Sequence, residues 1–135
     1  MKYLFQTSLL AILTLAAFSS CKKESETPEE TIVKATIDVE DPLADFTYEQ
    51  GDTVHIHFGI TCANEMHGYE AMLINLTSGD TAWDAHLHDH GLSYHVEDFW
   101  VNNVTEHSDM RLKVIAILDH EENQTVKQVD FHCHP

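Results

Sequence analysis

Basic residues are scarce in this chain: seven Lys and Arg stand against 23 Asp and Glu, a formal charge of −16 over 135 residues. Beyond residue 20 only Lys22, Lys23, Lys34, Arg111, Lys113 and Lys127 oppose all 23 acids, so that part carries a formal −17. A surface of that sign repels nucleic-acid phosphates and anionic headgroups, which excludes nucleic acid as a partner; it draws cations and basic partners. Cysteine is scarce too, with only Cys21, Cys62 and Cys133. No segment reads as a helix. The long apolar run, residues 4–18, falls short of the roughly 20 residues that span a bilayer. Ser78, Ser93 and Ser108 occupy no nucleophile-elbow context, and the acids are too scattered to single out a catalytic pair. The expectation is a binding protein, not an enzyme.

What is present begins at the N-terminus. Met1-Lys2 is a short basic start. Leu4 to Phe18 is apolar but for Gln6, Thr7, Ser8 and Thr14, and Ser19-Ser20-Cys21 follows. That order describes a secretory signal. The stretch Phe18-Ser19-Ser20-Cys21 resembles the bacterial lipoprotein box, with Phe18 where Leu is usual. The resemblance implies that residues 1–20 are a signal peptide and that Cys21 is lipidated and becomes the mature N-terminus. The protein is then anchored in the outer membrane of a bacterial envelope. A single acyl chain anchors only marginally, whereas two or three hold firmly. Residues 22–30 have no apolar side chain and read as a charged tether, making 21–30 the lipidated cysteine and its linker. Lys23-Glu24-Ser25-Glu26 resembles the surface-export signal of Bacteroidetes-type lipoproteins. A plain spacer is the other reading, so both the periplasmic face and the cell surface stay open.

Residues 31–135 have the length of one domain. From Ile32 the pattern has period 2. Val33, Ala35, Ile37 and Val39 alternate with polar residues, and Asp41-Pro42 ends the run. After the Gln50-Gly51-Asp52 turn, Val54, Ile56, Phe58 and Ile60 alternate with His55, His57, Gly59 and Thr61. Further strands are expected at 69–76, 83–88, 94–101, 111–118 and 125–133, with turn signals at Thr77–Asp80, Asp89–Gly91 and Asp119–Asn123. About seven evenly spaced short strands suggest an all-β sandwich. The pattern, with its closing hairpin at 111–133, resembles the immunoglobulin-like domains of bacterial envelope lipoproteins. The resemblance implies a Greek-key sandwich and no activity. In that order the second, fourth and fifth strands share a sheet. It also puts Cys62 and Cys133, both inward by parity, at opposite ends; a disulfide between them and two separate core thiols are the alternatives.

Histidine is the outlier, at eleven residues. Two segments are dense in it: His55-Ile56-His57 and His86-Leu87-His88-Asp89-His90. Alternate residues of a strand share a face, their Cα atoms about 6.7 Å apart, and two such imidazoles can lean onto one ion at about 2.0–2.1 Å. His86 and His90 would stand about 13 Å apart on a straight strand, so a shared ion needs a bend, which Asp89 and Gly91 can supply. With Val54, Ile56, Ala85, Leu87, Tyr94 and Val96 inward, His55, His57, His86, His88 and His95 face outward. The sheet assignment then gathers them on one outer face. The expected metal ligands are His55, His57, His86, His88 and His90, holding zinc or copper, with Asp84 and Asp89 beside them. His132-Cys133-His134 is a third pair, assigned to the other sheet. The alternative is a metal-free module whose acidic sheet docks an envelope protein or a glycan.

Overall fold

The computed structural model describes residues 33–121 and 123–135. The expected signal peptide, the lipidated Cys21 and the tether lie outside the described residues. The described residues form eight strands: β1 (Thr36–Asp41), β2 (Thr47–Tyr48), β3 (Thr53–Met66), β4 (Gly68–Asn75), β5 (Thr81–Leu87), β6 (Gly91–Val101), β7 (Ser108–Ile117) and β8 (Gln124–Cys133). Seven match the segments expected from alternation. The addition is β2, two residues running parallel to the end of β8 and too short to show a period.

Two sheets stack face to face, β1-β3-β6 and β2-β8-β7-β4-β5. This is an immunoglobulin-like Greek-key sandwich. Alternation decides what lies between the sheets. Val54, Ile56, Phe58 and Ile60 of β3 face Leu73 of β4, Met110, Leu112 and Val114 of β7, and Phe131 of β8, and none of these has exposed surface. Asn102 is a buried polar residue, and its groups are satisfied. Its Nδ2 donates to the Tyr48 and His134 carbonyls at 3.2 and 3.0 Å, and its Oδ1 accepts from the Val104 amide at 3.2 Å.

One expectation about the sheets is corrected. The fourth expected strand, β5, pairs with β4 in the five-stranded sheet and not with the second and fifth expected strands, β3 and β6. The cause is the connection. The Asn75 carboxamide oxygen accepts from the Thr77 and Ser78 amides at 2.9 and 3.1 Å, Gly79 takes φ 84°, and the Asn75 amide donates to the Asp80 carbonyl at 2.8 Å. So tight a turn returns the chain beside the strand it left. The chain changes sheets one connection later, between β5 and β6.

Cys62 and Cys133 are free thiols. Cys133 lies near the start of β3, where Asn102 links the Asp52 carbonyl and His134. Cys62 is nine residues further along that strand, roughly 30 Å away at strand rise, far beyond the ~7 Å a disulfide tolerates. Burial, with the charge of Asp52, pushes the Cys133 thiol up to about 11. Since the thiolate is the reactive form, iodoacetamide at pH 8 labels Cys62 well before Cys133 in the native protein; mass mapping that finds Cys133 labelled first would contradict the fold. Phe58→Ala, which empties the middle of the core, lowers stability by about 3–5 kcal/mol in urea denaturation.

Candidate metal centre

The outer face of the three-stranded sheet carries the polar half of the alternation. His57 stands opposite Glu97, and Gly59 opposite His95, across β3 and β6. Gly59 offers no side chain to compete with His95, whose imidazole leans along the diagonal onto His57, within the reach of a long side chain. The two rings meet edge to face at 4.8 Å between centroids, with Nε2 to Nε2 at 3.3 Å. Glu97 Oε1 lies 3.1 Å from His95 Nε2, a hydrogen bond, and 3.7 Å from His57 Nε2. The fourth participant comes from β1. Its register against β3 shifts between Val39 and Asp41, and the extra residue of that irregularity is Glu40, whose Oε2 sits 3.2 Å from His57 Nδ1.

His57 therefore has a carboxylate at each ring nitrogen. Glu40 favours the proton on Nδ1, which leaves the Nε2 lone pair turned toward His95 and Glu97. Carboxylate to imidazole to metal is the usual way a protein fixes a histidine ligand. The hydrogen bond from His95 and the charges of His57 and His95 hold the Glu97 carboxyl below its ordinary value, so it is an anion at neutral pH. Among the described residues, His57, His95 and Glu97 form the set whose ligand atoms all lie within 4.8 Å of one another. His57 is 25% exposed, His95 60% and Glu97 72%, so an ion can enter directly from solvent.

Of the five expected ligands, only His57 belongs to this group. His55 shares its face, but the β3–β6 register sets it opposite Phe99, outside the group. His86 pairs opposite Glu70 in the other sheet, so the single outer face expected for His55, His57, His86, His88 and His95 does not form. His88 and His90 follow β5. There His90 meets His67 and His120, with ring centroids at 4.4 Å and 6.5 Å. His132 and His134 take different partners. His132 Nδ1 lies 2.9 Å from Asp109 Oδ1, while His134 packs on His107 at 3.8 Å between ring centroids and near Glu49. Parity already placed His95 outward. Glu97, two residues on, has the same outward parity. Glu40 is outward by parity as well, but its register against His57 depends on the irregularity in β1.

No protein-family model matches the chain, and no curated protein matches it. Among solved structures it is similar to one of the fibronectin(III)-like modules of Clostridium thermocellum CbhA, at 11% identity over 73% of this chain and 96% of that one, with a TM-score of 0.47.

The β3–β4 link is a second place where backbone constraint positions histidines. Gly68 takes φ 123°, and a Cβ there would lie 1.9 Å from the Leu87 carbonyl oxygen. The missing side chain lets the link press against the end of β5, which sets His67 beside His90. Partial burial and the neighbouring His120, His90 and His88 push the His67 imidazole below its ordinary value, against the pull of Asp119. Gly68→Ala forces the backbones apart and costs about 2 kcal/mol or more. Chemical denaturation measures this, and a neutral result would mean that the close approach is not required.

Proposed function

We propose that this is a lipid-anchored protein of the bacterial envelope that captures a divalent transition metal ion, zinc or copper, through His57, His95 and Glu97, with Glu40 orienting His57. The observation that carries the reading is the 3.3 Å between the two Nε2 atoms. Two imidazole nitrogens on one tetrahedral ion at about 2.0–2.1 Å stand about 3.3 Å apart, so the pair already has the spacing of adjacent ligands. Two imidazoles and one carboxylate suit zinc or copper better than calcium or magnesium. The acidic surface raises the local cation concentration. Anchoring is supported by the apolar run ending in Ser19-Ser20-Cys21 and the charged residues after it.

The reading is capture, not catalysis. On this open sheet face no described residue excludes water from a reacting group, and the fourth coordination position is left to solvent or to a ligand brought by a partner. A second reading rests on Phe99 and Val101, 59% and 45% exposed on the same face of β6. Apolar groups beside an acidic field suit docking of an envelope protein or glycan without metal.

Zinc or copper titration of the full chain, purified without a polyhistidine tag, separates the two. Metal raises the melting temperature, because a ligand of the native state stabilises it. His57→Ala/His95→Ala loses one bound equivalent, and Glu40→Gln weakens that equivalent by roughly 10–100-fold. Binding weakens as the solution is made acid, since protons compete for the ligating lone pairs. A titration unchanged in the double variant would refute the metal reading and favour docking.

A further inference from the structure

We infer that His67, His90 and His120 form a second, separate site for a divalent transition metal ion at the loop end of the sandwich. The three are far apart in sequence and reach one place by three connections. His67 is the single residue between β3 and β4, His90 lies between β5 and β6, and His120 lies in the β7–β8 hairpin. The His67 ring stands between the others, its centroid 3.9 Å from that of His120 and 4.4 Å from that of His90; His90 and His120 are 6.5 Å apart. Three imidazoles on one tetrahedral ion at about 2.0–2.1 Å have centroids roughly 5 Å apart. The observed separations straddle that value. As placed, their ring nitrogens do not all lie within 4.8 Å of one another, so one ion requires His90 and His120, both exposed, to turn toward His67.

His67 is the fixed member. Its amide donates to the Ile117 carbonyl at 2.8 Å, and Gly68 beside it is pressed against Leu87. Its Nδ1 is shielded from solvent and has no hydrogen-bond partner among the described residues. A buried ring nitrogen in that condition is unfavourable, and metal ligation would satisfy it when its lone pair is free. The other two loops are also held. The Tyr94 hydroxyl donates to the Asp89 carbonyl at 2.6 Å, and Asp89 Oδ1 accepts from the His90 amide at 2.8 Å. Asp119 Oδ1 accepts from the Glu121 and Asn123 amides at 2.8 and 3.1 Å, closing the hairpin that carries His120. The donor set is three imidazoles, which zinc, copper and nickel accept and calcium and magnesium do not. No residue is shared with the sheet-face centre, so this site stands or falls on its own.

The test is zinc titration by calorimetry on the full, untagged chain, with histidine ring resonances followed by NMR. Wild type takes up two equivalents. His57→Ala/His95→Ala retains one, and zinc then shifts the His67, His90 and His120 rings. In that background His90→Ala/His120→Ala, which alters only exposed side chains, weakens the remaining equivalent by at least the roughly 10–100-fold seen when a ligand's support is disrupted. Unchanged circular dichroism shows that the fold survives. The inference is overturned if His57→Ala/His95→Ala binds no zinc, or if its remaining equivalent ignores the His90 and His120 substitutions. Loss of an equivalent in His57→Ala/His95→Ala reports on the sheet-face centre alone, so the two assignments can fail independently.

Discussion

Four alternate residues of β3, Val54, Ile56, Phe58 and Ile60, have no exposed surface, and their burial fixes which way every neighbour on that strand points. A slip of one residue would turn this row to water and bury His55 and His57. Fully burying a side chain of this size contributes about 1.5–3 kcal/mol, so the slipped arrangement is heavily disfavoured. The same register pairs β3 with β6 from Thr53 to Thr61 and so sets His57 against Glu97 and Gly59 against His95. The polar chemistry of the outer face is thus held in place by the apolar packing of the inner one. Glu40 joins through a local failure of regularity in β1.

The inward row and the seven longer strands were legible because half-buried antiparallel strands imprint period 2 on the sequence. Parity likewise gave the outward direction of His55, His57 and His95. What parity does not carry is which sheet a strand joins. Strand counting alone puts β5 beside β3 and β6, whereas the short Asn75–Asp80 turn, which only a hairpin neighbour can use, keeps it beside β4. That one step separated His86 and His88 from His57. The leaning of His95 across Gly59, and not of His55 along its own strand, depends on side-chain packing at a single diagonal, which sequence spacing does not express. The meeting of His67, His90 and His120 was illegible for another reason: three connections of different length converge only after both sheets are in place.

The sheet-face group has little to do with holding the fold together. Its members are largely exposed, and exposed ion pairs contribute little to stability because water and salt screen them. Glu40 and Glu97 flank the two imidazoles on a domain already carrying a large excess of negative charge. Each added carboxylate there increases self-repulsion, which a bound cation relieves. Arg111 and Asp130 show the contrasting case. Their two contacts at 2.7 Å join β7 to β8, and each charge is neutralised by its own partner. Among the described residues the His57 group contacts no Lys or Arg and depends on the imidazoles themselves, which cannot both ligate a metal and carry a proton on the ligating nitrogen.

β3 connects the two histidine groups and also keeps them apart. His57 sits in the first half of the strand, and His67 follows its last residue, Met66. Ten residues at strand rise span roughly 30 Å, less whatever the irregularity between Thr61 and Met66 takes up. At physiological ionic strength charges are screened over about 8 Å, so an ion at one position is electrostatically almost invisible at the other. Between them β3 runs from the buried Phe58 and Ile60 into the largely exposed stretch Thr61–Glu65, and the two groups share no residue. Two ions bound at these positions would therefore be taken up additively. Their affinities would be set by local geometry: a pre-spaced pair with a carboxylate on the sheet, and three rings gathered by loops at the end of the sandwich.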